Sequence, residues 1–476
     1  MKKLLPLLFI CLCVYDTNAQ SYRINLQSNY RSGIAYITYY MGTDYLLQDS
    51  AAVSNTGLAV FKGATKLPGG IYSIIFPGKR LTADFLIDKE QVLSIQADTN
   101  HLDKIVITGS PINTAFRDYR TFADAKGRML QQEKIAYSNS RTHADSIRHE
   151  TAYKKYAGEL TAYRQAIISG KPSSLMAVLF SAMKDPAYPT KIPVTHRDSL
   201  DNYNFFKEHY WDGISFMDER IIRSPFFLPK LQTYYRQVMS QSADSLMRDI
   251  DYKLLLARIN PEMYKFLLNW FTDEYLSPKY MGQDAVFVHL FEQYHSKGLS
   301  KWLSDKQHEA ISRRAYMLMS NLIGEKAANL EFADTAGNPR ALYDAVAPYT
   351  VVVFWDPNCG HCKTEIPVID SFYRASWQKK NVKMYAVLTE TEKEKGAWIN
   401  FIRTHNIGDW INVYQTKEAA DKEAKSQFPS YRQLYDITLT PTLYLLDKDK
   451  RIIAKKLTPA QLNDLLNVKF SKAGNG

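Results

Sequence analysis

Residues 351–367 read VVVFWDPNCGHCKTEIP, and the stretch changes character twice. Val351–Trp355 is a short apolar run with the β-branched content of a buried strand. Asp356-Pro357-Asn358 breaks it, since each of the three favours a turn. From Cys359-Gly360-His361-Cys362 onward the pattern becomes helical. A strand, a tight loop and a helix N-terminus carrying two thiols make a redox-active arrangement. Cys359 is expected in the first helical turn, where unpaired backbone N–H groups and the helix dipole favour a thiolate. Cys362, three residues on, lies within disulfide reach.

Other uses of this motif fit less well. A Cys359–Cys362 disulfide closes a very short loop and would constrain little of a 476-residue chain. A zinc site needs two more ligands, and His361 and His405 form no ligand-spaced pair. The residues from Cys359 to Pro367 resemble the active site of the thioredoxin superfamily. Their CxxC-K-x-E-x-P form is most similar to the TlpA/ResA branch of envelope thiol–disulfide oxidoreductases.

Disulfide exchange needs a nucleophilic thiolate, a resolving thiol and a route for a proton. Position makes Cys359 the nucleophile and Cys362 the more buried resolving thiol. His361, between them, can stabilise the thiolate electrostatically. Thr440-Pro441-Thr442 opens a later strand, and the resemblance implies a cis-proline loop facing the thiols, with the Thr440 backbone pairing to an extended substrate. Trp355 is expected to pack under the active-site loop, and Pro367 to kink the helix. Many thioredoxins carry a buried Asp six residues before the first Cys, where this chain has Val353. The proton then needs another group. Glu365 stands three residues after Cys362, on the same helical face, where the TlpA/ResA pattern places its glutamate.

The length suggests about three domains. Residues 20–109 read as an all-β sandwich, with alternation in Tyr22–Leu26, Ile34–Tyr39 and Ile71–Phe76 and later strands at 85–87, 92–95 and 105–108. The segment resembles the β-domain that precedes envelope thioredoxin-like proteins, and it shows no catalytic constellation. Residues 110–323 read as an α-helical bundle. Asn260-Pro261-Glu262 starts one helix, with Met263, Phe266, Leu267, Trp270 and Phe271 on one face. Asp284 reads as a second cap, before Phe287, Leu290, Phe291 and Tyr294. Helix-packing core is the ordinary meaning of such stripes, and a substrate groove the alternative. Asp145, His149 and Glu150 read as a solvated helix face. Residues 324–476 read as an α/β thioredoxin-like fold in the order β–α–β–α–β–β–α, with strands at 383–388, 443–446 and 451–454 and a final helix capped by Thr458.

The sequence calls for no cofactor and no metal. Its +11 net charge is scattered, with no nucleic-acid motif beside it. The expected partners are protein thiols or disulfides of the envelope and a thiol electron donor or acceptor. A partner-binding protein with sensing or tethering thiols, and a peroxiredoxin-like peroxidase, are the competing classes. The latter wants a Thr or Ser shortly before its Cys and an activating Arg, neither of which is evident.

Residues 1–19 read as a secretory signal peptide: Lys2-Lys3, the apolar Leu4–Val14, then Thr17-Asn18-Ala19. The expected location is therefore the periplasm or envelope of a Gram-negative bacterium, with no membrane span in the mature chain. Cleavage removes Cys11 and Cys13 and leaves Cys359 and Cys362 alone. Lipoprotein acylation of Cys11 or Cys13 fits less well, because Ile10 and Leu12 precede them. Protein recovered from the envelope should have an intact mass that starts at Gln20. A diacylglyceryl adduct on Cys11 or Cys13 would establish the anchored form instead.

Overall fold

The structure, a computed structural model, describes residues 21–79, 82–390 and 394–473. The expected signal peptide lies outside the described residues. The described residues form two compact units, one within 21–239 with 256–264 and the other within 240–255 with 265–473. Among the described residues no helix is long and apolar enough to cross a membrane.

In the first unit, strands β1 (Tyr22–Ser28), β2 (Ile34–Met41), β3 (Asp44–Ala52), β4 (Leu58–Gly63), β5 (Gly70–Ile75), β6 (Thr82–Ile87), β7 (Val92–Ala97) and β8 (Val106–Thr108) form two sheets. Their orders are β4-β1-β7-β8 and β3-β2-β5-β6. Alternation does the sorting: Tyr22, Ile24 and Leu26 of β1 point inward and share a core with Ile37, Ile74 and Phe85 of the other sheet. The reading of a sandwich holds, with two strands more than the alternation revealed. Strand β3 is mostly exposed, so its sequence carries little alternation to read.

Ser110-Pro111 then starts α1 (Pro111–Ser138), which pairs with α2 (His143–Gly170). His149 of α2 is half-buried, with Nδ1 2.7 Å from Glu133 Oε2 of α1. That stretch is therefore a helix–helix contact at His149 rather than wholly solvated. Helices α3 (Leu175–Met183), α4 (His196–Glu208) and α5 (Phe227–Thr233) follow.

The chain continues through α6 (Ala243–Ala257), α7 (Pro261–Leu276), α8 (Asp284–Leu290) and α9 (Asp305–Met319). Asn260 caps α7 as expected, its Oδ1 accepting the N–H of Glu262 at 3.0 Å and of Met263 at 3.3 Å. Met263, Leu267 and Phe271 are buried and their neighbours Phe266 and Trp270 half-buried, so the stripe is packing core. Asp284 is not the cap it resembled. It is the first residue of α8, 5% exposed, and its carboxylate is paired with Lys455. Its predicted neighbours Phe287, Leu290, Phe291 and Tyr294 are all buried.

The C-terminal sheet comprises β9 (Glu331–Asp334), β10 (Pro339–Ala341), β11 (Tyr349–Trp355), β12 (Lys383–Leu388), β13 (Ile411–Tyr414), β14 (Thr442–Asp447) and β15 (Ile452–Lys455). Helices α10 (Gly360–Phe372), α11 (Lys395–Thr404), α12 (Lys417–Lys425), α13 (Tyr431–Leu434) and α14 (Pro459–Ala473) accompany it. The strand order is β10-β9-β13-β12-β11-β14-β15. Strand β11 runs parallel to β12 and antiparallel to β14. The short β13, parallel to β12, was missing from the expected order. Both sheet faces are covered. Val351, Val353 and Trp355 pack with Cys362, Ile366 and Leu466 on one side, and Val352 and Phe354 with Tyr431, Tyr435 and Tyr444 on the other. This is the thioredoxin-like fold, after a β-sandwich and a helical middle region.

The helical region buries several titratable groups, His295 among them. His295 is 4% exposed, with Nε2 2.8 Å from Thr272 Oγ1 and Nδ1 2.9 Å from Ser300 Oγ. Burial, aided by the nearby His308, pulls its pKa down to about 4. An unfolded histidine binds its proton near 6.5. Between those values the unfolded chain holds more protons, so stability falls as pH drops from about 6.5 to 4. Denaturant melts should show a loss on the order of 2–3 kcal/mol across that window from this group. His295→Gln should remove that part of the slope. An unchanged slope in a folded variant would refute the assignment.

Candidate active site

Strand β11 ends at Trp355, and Asp356 makes the turn that follows. Its Oδ1 accepts the Asn358 N–H at 2.8 Å, and its carbonyl oxygen accepts the Cys359 N–H at 3.2 Å. Cys359 has extended backbone, φ −69° and ψ 127°, and is the N-cap of α10. It therefore stands one position ahead of the first turn in which it was expected. The thiol still faces the unpaired N–H groups of that turn.

Both thiols are free, and their environments differ. Cys359 is half-buried, and in its protonated form Sγ donates to the Thr440 carbonyl oxygen at 3.3 Å. Burial raises the Cys359 pKa, but hydrogen bonds from the Thr440 side chain, from Cys362 and from the His361 backbone N–H outweigh it. The net result is a thiol below its ordinary value. Cys362 is fully buried in the first turn of α10. Burial pushes its thiol up to about 12, and the neighbouring Cys359 adds to the rise. The Asp356 N–H, 3.5 Å from Cys362 Sγ, opposes it. One accessible thiol is thus inclined to ionise, and the buried one holds its proton. That is the asymmetry that stepwise disulfide exchange uses.

The other expected residues fall around this pair. His361 is exposed, and its backbone N–H is what reaches Cys359. Glu365 is half-buried one turn beyond Cys362, beside the buried Ile366. Trp355 is fully buried, with its ring 5.0 Å from that of Phe401. The Trp355 carbonyl oxygen accepts the Thr389 N–H at 2.9 Å and the Thr389 hydroxyl at 3.2 Å. The Thr440–Pro441 peptide is cis. Val353 is buried in mid-strand, and Pro367 lies inside α10.

Asp356 and Asn358 did more than the sequence suggested. Asp-Pro-Asn reads as a strand breaker, whereas here Asp356 ties the loop to both cysteines. Asn358 Nδ2 donates to Glu394 Oε2 at 2.5 Å, a link across 36 residues that no local pattern announces.

The chain is similar to known proteins in two regions. The model of the AhpC/TSA family matches residues 323–455, and that of a domain of unknown function (DUF5106) matches 144–321. A solved domain of a "possible thiol-disulfide isomerase" from Cytophaga hutchinsonii is 39% identical, over 32% of this chain and 96% of that one, with a TM-score of 0.28. The thioredoxin domain of a thiol-disulfide oxidoreductase from Bacteroides vulgatus is 26% identical over 31% and 96% of the two chains, TM-score 0.27. A thioredoxin-like protein from Bacteroides caccae is 21% identical over 60% and 99%, TM-score 0.45. No curated protein matches the chain. Residues 323–455 thus form an AhpC/TSA-type domain, and the chain carries there a thioredoxin-like domain of the thiol–disulfide oxidoreductase kind.

Proposed function

We propose that the protein exchanges disulfides with protein substrates in the envelope of a Gram-negative bacterium, through Cys359-Gly360-His361-Cys362 and in the reducing direction. The observation that carries this reading is the contrast between an accessible, acidified Cys359 and a buried, strongly basic Cys362. The Cys359 thiolate attacks a substrate disulfide, forming a mixed disulfide and releasing one substrate thiolate. Cys362 gives up its proton and attacks Cys359 Sγ, which frees the second substrate thiol. The substrate gains two electrons and the enzyme is left as the Cys359–Cys362 disulfide. A thiol donor of the envelope then restores the dithiol. Similarity to the TlpA/ResA branch supports the reducing direction, and the residue 1–19 pattern supports the location.

Roles follow from position. Thr440 and Pro441 line the Cys359 side, where an extended substrate would pair with the Thr440 backbone. His361 modulates the thiolate. Trp355 braces the loop from beneath. Glu365 takes the Cys362 proton, since Val353 offers no alternative acid in the central strand. The catalytic segment is 324–476, with 20–109 as β accessory domain and 110–323 as helical domain.

Insulin reduction with dithiothreitol tests the activity. Turnover supports it, whereas its absence with both thiols intact favours a partner-binding protein whose thiols sense or tether. A potential for the Cys359–Cys362 couple near about −270 mV would support the reductase direction, and one near about −120 mV an oxidant. Cys362→Ser should trap a mixed disulfide with substrate and Cys359→Ser should not. The reverse pattern would exchange the two roles. Glu365→Gln should slow resolution of the mixed disulfide while leaving the fold intact. Wild-type rates of resolution in that variant would remove Glu365 from the mechanism.

A further inference from the structure

The loop that meets Cys359 is held from outside the catalytic domain. Arg314, on α9, donates from Nη1 to Asp436 Oδ1 at 2.5 Å and from Nη2 to Oδ2 at 3.2 Å. This is a two-point fork on one carboxylate, a geometry that fixes direction as well as distance. Asn321 adds a bond from Nδ2 to the Leu434 carbonyl oxygen at 3.0 Å. Lys456 Nζ meets Asp436 Oδ2 at 2.5 Å from the sheet side. Asp436 is 1% exposed and sits at φ +45°, in the left-handed region that suits few side chains. Burial raises its carboxyl, but Arg314 and Lys456 outweigh that and keep it below the ordinary range.

Asp436 stands four residues before Thr440. Between them Thr438 and Leu439 are exposed, and the next regular strand, β14, begins only at Thr442. Only three residues separate the fixed Asp436 from Thr440, so this short tether limits how far Thr440 can move from its place against the thiol. We infer that Arg314 is a positioning residue for the Cys359 site, holding through Asp436 the loop that sets Thr440 against the thiol. Arg314 lies outside the residues matched to the AhpC/TSA family and inside the 144–321 match. The domain of unknown function thereby acquires a task at the redox centre.

The inference rests on the oxidoreductase reading for its kinetic arm only. Its first readout is the pH profile of Cys359 alkylation by iodoacetamide, followed site by site by mass spectrometry, which needs no substrate. Thr440 is the foremost of the contacts that lower the Cys359 pKa, ahead of Cys362 and the His361 N–H. Arg314→Ala should therefore shift the profile to higher pH and slow alkylation at neutral pH about 3- to 10-fold, as a shift of half a unit to one unit requires. The insulin KM should rise more than kcat falls. Arg314 and Asp436 line an open cleft of about 690 Å³, so a small cation can enter. Added methylguanidinium should restore the profile in Arg314→Ala. Arg314→Lys, which keeps the charge and loses the fork, should lie between the two.

A folded Arg314→Ala protein with the wild-type Cys359 profile overturns the inference. Should that variant fail to fold, Arg314→Lys and Asp436→Asn decide, and wild-type profiles in both overturn it. If wild-type protein shows no insulin turnover, the oxidoreductase reading fails while the alkylation profile still decides the role of Arg314.

Discussion

Five consecutive side chains, Val351 to Trp355, are wholly excluded from solvent. A strand alternates its side chains, so this run demands apolar cover on both faces of the sheet. At about 1.5–3 kcal/mol for each large apolar side chain removed from water, neither face is dispensable. Helices α10 and α14 supply one cover through Ile366, Ile369, Leu462 and Leu466. The other is aromatic, with Tyr431, Tyr435 and Tyr444 around Phe354 at centroid distances of 6.3, 4.9 and 6.1 Å. A strand so enclosed has only its ends free. The two cysteines follow its C-terminal end, where the backbone leaves the sheet and helix α10 begins.

That junction also explains how two identical side chains come to differ. Cys359 precedes the helix and meets its unpaired N–H groups, while Cys362 has already turned toward the core. The same first turn therefore stabilises a thiolate at one position and desolvates a thiol three residues later. No acid in the central strand is needed to create the contrast. Val353 fits this economy, since an unpaired carboxylate there would occupy the tightest part of the core.

Much of this was legible because it is local. The β11 run, the breaker Asp356-Pro357-Asn358 and the two cysteines each act on near neighbours, and they predicted strand, loop and helix start. Lys383–Leu388 was read with its observed ends for the same reason. What escaped the sequence was short or distant. Strand β13 has four residues, and its Asn412 spends its side-chain amide on the carbonyl oxygens of Ile407 and Trp410, so no apolar run is long enough to detect. Asp284 before an apolar stripe has the form of a cap, and only Lys455, 171 residues away, gives it another role. The Arg314–Asp436 fork spans 122 residues and has no periodic signature at all.

Those distant pairs share a physical logic. Lys455 is 6% exposed, and its ammonium meets the Asp284 carboxylate together with the Asn321 backbone oxygen at 2.7 Å and side-chain oxygen at 2.6 Å. Burying such a group gains little net stability, because desolvation cancels most of the attraction. Its effect is selective: a helix displaced by one residue would leave a buried charge unpaired, at about 3–5 kcal/mol. Apolar contacts tolerate such a slip, and directional charge pairs do not. Asn321 takes part in both networks, receiving the Lys455 ammonium and donating to Leu434 beside Asp436. Polar side chains therefore fix the 284–321 helices to the sheet at Lys455 and to the Leu434–Asp436 turn, two contacts that an apolar replacement would lose while keeping the packing.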